Sequence, residues 1–360
     1  MRLYSALGYE GSFGWGVLTH HLHRALAARC ELHPFPPNAV LSDPVRNDGH
    51  ALVAVVGEDL RPVSPLRGLC THGLGLFDHP LDAAFAERAR RYDRLFVGST
   101  WCADHLRRAG VAHAVPFVQG VDTALFQPPP DGAPELLPGS FVIFSGGKLE
   151  YRKGQDLAIA AVRVLQERYA DVVFVTLWGN YLGADSLRTI AASPHIRFEL
   201  KGESPEAWGH HLCAMNGLDP GRTICLGETP HTSLPEVYRN THIGLFPNRC
   251  EAATNLVMAE YLACGRPVVA SHQFGQKDIL GRDYAFLLEP RNRLDTLEAE
   301  PAVEEIVEAL DFAYHHREIL PSLGRKGAEA MRRFTWDAAA ATLLEAMAEA
   351  EKEKSRSPAK

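Results

Sequence analysis

The chain has 360 residues, and two domains are expected because a single hydrophobic core rarely grows beyond roughly 250–300 residues. Its net charge of −7 argues against a nucleic-acid partner, since phosphate contacts need a basic face. The seven cysteines are scattered without CxxC spacing, so we expect reduced thiols in a cytoplasmic protein rather than a disulfide framework or a zinc site. No stretch approaches the roughly 18 apolar residues that span a bilayer, which argues against an integral membrane segment and leaves peripheral membrane contact open.

The first third of the chain alternates between strand and helix patterns. Strands are predicted at 2–8, 30–35, 51–57, 67–73, 94–99 and 113–120, and helices at 17–30, 83–93 and 100–110. A Pro- and Gly-rich break up to Gly139 is the expected linker. Strand patterns return at 140–147, 172–179, 223–228, 243–248 and 267–271, with helices between most of them. Such alternation indicates a parallel sheet with helices on both faces in each half.

The most informative segment is RCEAATNLVMAEYLACGRPVVAS, residues 249–271, in which two carboxylates bracket a loop that turns into a helix. Thr254 and Asn255 are helix starters, since their side-chain oxygens accept hydrogen bonds from otherwise unpaired backbone N–H groups. A glycine is expected to end the helix, and PVVAS is expected to be a buried strand. A helix N-terminus attracts anions. With Glu251 and Glu260 beside it, the segment matches a sugar nucleotide, whose phosphates lie between two hydroxyl-bearing rings.

A second segment, FSGGKLEYRKGQD at 144–156, has the features of a diphosphate site. A predicted strand runs into Gly146 and Gly147, which let the backbone approach a ligand closely. Lys148 and Lys153 add two cations beside a helix start, each acting as a compact point charge. The sequence contains no Walker motif, HExxH, GxSxG elbow or metal-binding DxD, so we expect chemistry without a metal.

Segment 249–271 resembles the Glu-x(7)-Glu signature of retaining, GT-B-fold, nucleotide-sugar-dependent glycosyltransferases of the family 4 or group 1 type. Glu260 and the following YLACGRPVV match the second half of that signature. Glu251 lies nine residues before Glu260 rather than eight, so the loop carries one extra residue. Ala252 holds the position that the first glutamate usually occupies, and Glu251 is taken as the functional acid.

The second segment, 144–156, also resembles a motif of the same family. The segment is similar to the G-R-L-x-x-x-K-G phosphate motif, in which Lys153 matches directly. Lys148 replaces the family's arginine, which keeps the charge but loses the bidentate fork. Arg152 either compensates for this loss or is a solvated side chain.

The resemblance implies an α/β protein with GT-B architecture, in which two doubly wound Rossmann-like domains face a cleft and a C-terminal helix crosses back to the N-terminal domain. PFVQGVDTALFQPP at 116–129 resembles the family segment that ends the N-terminal domain, and FTW at 334–336 resembles the F-S-W before the final helix. A final helix that stays on its own domain is the alternative. The expected parts are an acceptor-side domain at 1–128, a linker at 129–139, a nucleotide-sugar domain at 140–330, a crossing helix at 331–350 and a disordered tail at 351–360.

The implied activity is that of an enzyme, a hexosyltransferase-like glycosyltransferase, that moves a sugar from a UDP- or GDP-sugar to a glycan, a glycoconjugate or another hydroxyl acceptor. Retention of configuration and a role in polysaccharide biosynthesis are inherited from the family, and no cofactor besides the donor is implied. Glu260 would hold the ribose hydroxyls and Glu251 the sugar hydroxyls, while Lys148 and Lys153 would stabilise charge on the departing diphosphate. Further donor-binding residues would be Gly146, Gly147, Ala252, Ala253, Thr254, Asn255 and Leu256.

Two candidates in the first half are each expected at the carboxyl end of a strand, where α/β sheets bind ligands. In the Gly-rich turn 11–16, Gly14 or Gly16 would let the loop meet the donor phosphates or the acceptor. His72, in THG at 71–73, is the candidate for the family's histidine beside the donor sugar. The chain has 17 histidines, so a satisfied polar side chain is the alternative for His72.

Other interpretations stay open from the sequence. One interpretation is another GT-B activity, such as that of a sugar-nucleotide epimerase or a phosphorylase. A catalytically silent protein that binds a sugar nucleotide or scaffolds a partner enzyme is another, motivated by the displaced Glu251 and the lysine at position 148. The simpler interpretations are that Glu251 caps a surface loop, that Glu260 is an ordinary helix-face carboxylate and that Lys153 is a surface lysine.

Overall fold

The structure, a computed structural model of the chain, describes residues 1–356 with several gaps. The gaps are 9–13, 36–47, 58, 78, 131, 134, 180–183, 201, 203, 205, 206 and 293–297. Contacts within the chain divide it into two units. Unit 1 contains Met1–Gly120, Ala252–Thr254 and Arg333–Lys360, and unit 2 contains Val121–Glu251 and Asn255–Arg332. The expected linker at 129–139 lies within unit 2.

Strands and helices follow one another in both units, as the alternating patterns predict. The strands are β1 (Arg2–Ala6), β2 (Glu31–Pro34), β3 (His50–Val56), β4 (Arg61–Pro62), β5 (Thr71–Gly75), β6 (Arg94–Val97), β7 (Ala114–Pro116), β8 (Phe141–Lys148), β9 (Val172–Gly179), β10 (Thr223–Leu226), β11 (Ile243–Phe246), β12 (Val268–Ser271), β13 (Ala285–Leu288), β14 (Arg291–Asn292) and β15 (Ala299–Glu300). The helices are α1 (Gly14–Ala27), α2 (Phe85–Ala89), α3 (Thr100–Arg108), α4 (Gln155–Arg168), α5 (Ala184–Arg188), α6 (Trp208–Met215), α7 (Leu234–Arg239), α8 (Leu256–Ala263), α9 (Val303–His315), α10 (Leu320–Met331) and α11 (Trp336–Arg356).

The sheet of unit 1 has the order β2-β1-β3-β5-β6-β7, with all of these strands parallel. β4 is a short antiparallel addition to β3. The central strands lack polar alternation, as HALVAVV in β3 illustrates, because both faces of a parallel sheet are covered. The strand order reverses between β1 and β3, so the carboxyl end of β1 is a switch point, where ligands of such sheets bind.

The last helix packs on the first unit, as the resemblance implies. Within unit 1, Trp336 at the start of α11 stacks on His21 of α1 with ring centroids 5.5 Å apart. Arg29, just beyond α1, forms an ion pair with Asp337 of α11. A side chain at Gly120 would overlap the backbone of Trp336, so this glycine permits the close approach. The crossing helix is therefore confirmed.

Part of the tail that was predicted to be disordered, residues 351–356, is helical. α11 continues to Arg356, and residues 357–360 lie outside the described part of the chain. The final helical turns are anchored by charges that the sequence pattern could not pair. The side chain of Glu351 lies 3.3 Å from that of His50, Glu353 lies 2.8 Å from Arg94, and Lys354 lies 2.9 Å from Asp93.

The sheet of unit 2 has the order β10-β9-β8-β11-β12-β13, again parallel throughout. β14 and β15 form a separate antiparallel pair. The strand order reverses between β8 and β11, which makes the crevice outside their carboxyl ends the expected ligand site of this sheet. One face of the sheet packs with α4 and α9 in a continuous apolar cluster. On the other face, Phe144 of β8 stacks on Tyr261 of α8 at 5.1 Å.

Candidate functional site

The loops after β8 and β11 lie against each other at the switch point of unit 2. Lys148 ends β8, a single 3-10 turn covers Tyr151–Lys153, and Gly154 precedes α4 with a φ of 73°. A side chain at Gly154 would overlap the carbonyl oxygen of Pro247, which follows β11. Glycine therefore serves two needs here, a left-handed backbone and the close approach of the second loop.

Cations and carboxylates alternate across this junction. Lys148 Nζ lies 2.6 Å from Glu150 Oε2, and Arg152 Nη2 lies 2.7 Å from Glu150 Oε1. The second nitrogen of the same guanidinium, Arg152 Nη1, lies 3.5 Å from Glu251 Oε1, and Lys153 Nζ contacts Glu251 Oε2. Lys148, Lys153 and Glu251 are thus brought together, and Arg152 bridges the two carboxylates instead of being solvated. The cluster holds one more cation than carboxylates, which favours an anionic ligand.

Glu251 is a buried acid rather than a cap on a surface loop, with 6% of its surface exposed. Besides its cationic neighbours, its Oε2 accepts a hydrogen bond from Asn248 Nδ2 at 2.9 Å. Its carbonyl oxygen accepts a bond from the backbone N–H of Gly275 at 2.9 Å. Several donors therefore hold this carboxylate in one orientation, which is what recognition of ligand hydroxyls requires.

Arg249, for which no role was predicted from the sequence, anchors the loop that carries Glu251. The side chain is fully buried, and its two terminal nitrogens donate to Asp156 of α4 at 2.8 and 2.6 Å. Its Nη1 also donates to the carbonyl of Tyr151 at 2.7 Å, and its guanidinium lies 3.8 Å from the centre of the Tyr151 ring. One side chain therefore ties the loop after β11 to the loop after β8.

Two further groups complete the pairing around Arg249. Its Nε donates to Glu300 of β15 at 2.6 Å, and Glu300 also contacts His195 Nε2 at 2.9 Å. Burial alone would lower the pKa of Arg249, but its hydrogen bonds to Asp156 and Glu300 raise the pKa above its usual range. A buried charge is tolerated when it is paired and hydrogen-bonded in this way.

The segment between the two signature glutamates divides between the units. Ala252–Thr254 cluster with unit 1, where Ser99 Oγ donates to the Ala252 carbonyl at 2.6 Å, and the buried Thr254 hydroxyl has no hydrogen-bond partner among the described residues. Asn255 caps α8 as predicted, because its side-chain oxygen accepts a bond from Met258 N at 3.3 Å. Its φ of 66° is a left-handed conformation that asparagine adopts more readily than most residues. Leu256 is the first helical residue.

Glu260 lies in the second turn of α8 and is 3% exposed. Its Oε1 is 2.6 Å from Nε2 of His231, a residue of the 3-10 turn His231–Ser233 that follows β10. The partner was not identified from the sequence, since 29 residues separate the two. Glu260 is therefore not an ordinary helix-face carboxylate.

The two glycines near the end of β8, Gly146 and Gly147, have different structural surroundings. A side chain at Gly146 would lie 2.9 Å from Val257 Cγ1, so this glycine lets β8 pack against α8. Gly147 has a φ of 130°, and a Cβ there would have no atom within 4 Å. Of the two, Gly147 has the open surroundings that a ligand approaching the backbone needs.

The prediction that His72 lies at the carboxyl end of a strand is wrong. β5 begins at Thr71, so His72 lies at the amino end of the strand, opposite to the edge where ligands bind in such sheets. The ring is fully buried, its Nε2 is 3.0 Å from His50 Nδ1, and its Nδ1 has no partner among the described residues. The carboxyl end of β5 leads instead to His79, which packs edge-on against Phe77 at 6.1 Å.

Gly14 and Gly16 belong to α1 rather than to a loop. Gly14 is the first residue of the helix, and a Cβ there would have no atom within 4 Å, whereas Gly16 is buried in the first turn. Gly11, Ser12 and Phe13 lie outside the described residues. The helix therefore begins three residues earlier than predicted, at the switch point of the first sheet.

Among the residues that the structure describes, no group of three or more His, Cys, Asp or Glu side chains has a geometry that could hold a metal ion. Within the same ranges, every helix falls short of the length and hydropathy that a transmembrane segment needs.

Comparisons with known proteins concern the family resemblance of one part of the chain and the fold of the whole. Residues 140–308, slightly less than half of the chain, match the family described as "Glycosyl transferases group 1". A comparison with curated protein sequences gave no match.

Solved structures of similar fold cover nearly the whole chain. Sucrose-phosphate synthase from Thermosynechococcus elongatus aligns with a TM-score of 0.70 at 15% identity, covering 96% of this chain and 98% of the other. A glycosyltransferase from Rickettsia africae aligns with a TM-score of 0.67 at 13% identity, covering 98% of each chain. Anabaena Alr3699/HepE aligns with a TM-score of 0.65 at 13% identity, covering 97% of this chain and 100% of the other. The fold is thus that of GT-B glycosyltransferases, residues 140–308 are similar to group 1 glycosyltransferases, and the protein is an enzyme of the glycosyltransferase class.

Proposed function

We propose that the protein transfers a sugar from a nucleoside-diphosphate sugar to a hydroxyl of a glycan or glycoconjugate, with retention of configuration. The observation that carries the proposal is the cluster of Lys148, Arg152, Lys153 and Glu251 at the carboxyl ends of β8 and β11. It combines cations suited to a diphosphate with a buried acid suited to sugar hydroxyls. Support for the donor class comes from HepE, which was solved in complex with UDP and with UDP-glucose.

The roles of the cluster follow from its charges. Lys148 and Lys153 bind the diphosphate and stabilise the negative charge that develops as the bond between sugar and phosphate breaks. Glu251 accepts hydrogen bonds from hydroxyls of the donor sugar, and the backbone N–H groups of Ala252 and Ala253 bind phosphate. By resemblance to the family, the leaving phosphate is the candidate base for the acceptor hydroxyl, and no protein nucleophile is proposed.

Metal independence is part of the same proposal. Three cationic side chains at the switch point supply the positive charge that a divalent ion supplies in other transferases. A cytoplasmic location and a role in polysaccharide assembly are also proposed, on the resemblance alone.

Unit 1 is proposed to carry the acceptor side. Gly14, at the start of α1, lies at the switch point of its sheet and has open space around its Cα. His79 replaces His72 as the candidate histidine, since it follows the carboxyl end of β5. An exposed glycan terminus is the proposed acceptor, and transfer to lipid-linked acceptors with none to soluble oligosaccharides would contradict that.

The first experiment is a thermal-shift panel of UDP, GDP, ADP and TDP and their sugars, with and without EDTA. We expect one nucleotide to raise the melting temperature selectively and equally in both buffers. No shift with any nucleotide would contradict the proposed donor site, and a shift abolished by EDTA would contradict metal independence.

Turnover is tested with variants of the cluster. Lys153→Met is expected to lower kcat by about 10²–10³, as loss of one charge-stabilising group typically does. Glu251→Gln is expected to lose turnover while it keeps nucleotide affinity, because its hydroxyl contacts are to the sugar. Lys326→Met, on α10, is the matched control with unchanged kcat. Full activity of both cluster variants would refute the assigned roles.

A further inference from the structure

We propose that Glu150 is a fixed counter-charge of the diphosphate site, which weakens binding of the nucleoside diphosphate product more than binding of the donor and so speeds product release. The inference rests on the proposed function, and it concerns a carboxylate of the site that the proposed roles leave out. Its neighbours Lys148 and Arg152 attract the phosphates, whereas Glu150 repels them.

Glu150 lies between two of the cations that are proposed to bind the diphosphate. Lys148 Nζ lies 2.6 Å from its Oε2, and Arg152 Nη2 lies 2.7 Å from its Oε1. The side chain of Glu150 is 10% exposed, against 22% for Lys148 and 26% for Arg152. The two cations are therefore more open to solvent than the carboxylate, and a phosphate can reach them while Glu150 stays in the site.

Hydrogen bonds hold the backbone of Glu150 on both sides. Its N–H donates to Gln155 Oε1 at 3.4 Å, and its carbonyl accepts a bond from the N–H of Lys153 at 3.0 Å. The buried Gln155 also donates through Nε2 to the carbonyl of Lys148 at 2.7 Å. Gln155 therefore holds Glu150 next to the end of β8, which keeps the negative charge beside the two cations.

The contacts of Arg152 with its carboxylates are not in ideal geometry. Glu150 Oε1 is buried, and no described residue gives it a well-directed hydrogen bond, although the guanidinium nitrogen is 2.7 Å away. Arg152 Nη1 donates to the Cys250 carbonyl at 3.4 Å and to Glu251 Oε1 at 3.5 Å, and both distances are long. These contacts are weaker than the two parallel hydrogen bonds that a guanidinium makes to a phosphate.

The donor and the product differ in charge. In the donor each of the two phosphates carries one negative charge, whereas the free terminal phosphate of the product carries about −1.5 to −2 near pH 7. A nearby carboxylate therefore opposes the product more strongly than the donor, because the repulsion is proportional to the ligand's charge. Burial strengthens the effect, since salt screens buried charges less than exposed ones. Product release limits the turnover of many enzymes, and Glu150 acts on that step.

The test compares each nucleoside diphosphate with its sugar ester. Dissociation constants of UDP and UDP-glucose, and of GDP and GDP-glucose, are measured by calorimetry for the unaltered full chain and for Glu150→Gln. This substitution removes the charge and keeps an oxygen that accepts hydrogen bonds. We expect it to tighten binding of the better-bound diphosphate about thirtyfold and binding of its ester about tenfold. The dissociation rate of the diphosphate, measured by stopped flow, should fall as well.

Further variants separate charge from shape. Glu150→Asp keeps the charge, so it should keep the ratio of the two dissociation constants found in the unaltered protein. Should Glu150→Gln be unstable, Glu150→Asn compared with Glu150→Asp gives the same contrast, because these two differ in charge and not in length. Glu167→Gln makes the same change of net charge near the far end of α4, where Glu167 lies 3.9 Å from Arg163, and should change neither constant.

Failure of this inference and failure of the proposed function give different results. Equal or weaker diphosphate binding by Glu150→Gln would show that Glu150 positions the cations, and it would overturn the inference while the donor site stands. Equal tightening of the diphosphate and its ester would also overturn it, because selection against the product would be absent. Absence of binding by every nucleotide to the unaltered protein would overturn both.

Discussion

Arg249 connects the groups of the candidate site that come from different parts of the chain. It is buried, its guanidinium donates to Asp156 and Glu300, and it covers the ring of Tyr151. Arginine suits this place because its planar fork matches a carboxylate and keeps its charge when buried. The orientation of Glu251, two residues along the chain, depends on this anchor.

We expect Arg249→Met to lower the free energy of unfolding of unit 2 by about 3–5 kcal/mol, because Asp156 then stays buried without its cation. Urea unfolding followed by tryptophan fluorescence measures the change. Arg163→Met is the control, since its pair with Glu167 at 3.9 Å is exposed and such pairs contribute about 0–1 kcal/mol. Equal effects of the two substitutions would show that the buried pairing does not stabilise the loops.

Local patterns identified some site residues and missed others for a physical reason. Glycines and lysines near a strand end, and two glutamates that bracket a helix start, are visible as motifs, and so Lys148, Lys153 and Glu251 could be predicted as candidates; the structure places them together. Arg249 and Asp156 are 93 residues apart, and nothing in either neighbourhood indicates that they pair. The available signal in the sequence was that Arg249 and Asp156 are charged residues in otherwise apolar surroundings.

At the scale of elements, the start of β5 is where sequence periodicity failed. The segment from Leu69 to Phe77, LCTHGLGLF, mixes apolar, polar and glycine residues without a clear period, and periodicity alone does not fix where a buried strand begins. In the structure the segment before Thr71 is held in irregular conformation, with Leu69 N donating to the Gly49 carbonyl at 2.8 Å. The strand begins four residues later than predicted, at Thr71 instead of residue 67. His72 therefore lies at the amino end of the strand and not at its carboxyl end.

The C-terminal helix α11 is an integral part of unit 1, and adjacent leucines test this. Leu343 is fully buried, whereas Leu344 is only partly buried. Leu343→Ala is expected to cost about 2–5 kcal/mol of unfolding free energy, and Leu344→Ala less than about half of that. Thermal unfolding measures both, and nucleotide binding to unit 2 should be unchanged. The opposite order of the two costs would contradict the packing of α11.

At the scale of the whole molecule, the alternating strand and helix patterns were sufficient to predict two parallel α/β sheets. The resemblance added the return of the last helix to the first unit. The length of that helix was underestimated because the charges of EKEKSR indicate solvation unless their partners are known. Those partners, such as Asp93 and Arg94, lie about 260 residues earlier in the sequence.

Buried histidines make unit 1 sensitive to acid. Burial, with the charges of His50, Arg94 and Lys354, lowers the pKa of His72 to about 3, and burial lowers the pKa of His23 to about 4. An unfolded chain binds these protons near pH 6.5, so the unfolded state holds more protons below that pH. Stability is therefore fully present above about pH 6.5 and falls as pH decreases toward the folded-state pKa values.

The contribution of His72 to the pH dependence can be measured separately. We expect the unfolding free energy of unit 1 to fall by up to about 1.4 kcal/mol per pH unit per histidine between pH 6 and 4. His72→Asn should reduce this slope, measured by urea unfolding at several pH values. His316→Ala, a change at an exposed histidine, should leave the slope unaltered, and a slope unaffected by His72→Asn would refute the assignment.

The overlap that a side chain at Gly154 would make with Pro247 has a consequence for protein engineering. The close approach of Gly154 to Pro247, together with the hydrogen bond from Arg249 to the Tyr151 carbonyl, holds the loops after β8 and β11 together. Chimeras that take only one of these loops from another glycosyltransferase would pair mismatched halves. A donor specificity transplanted into this chain must therefore bring both loops, and β15 with its Glu300, as one graft.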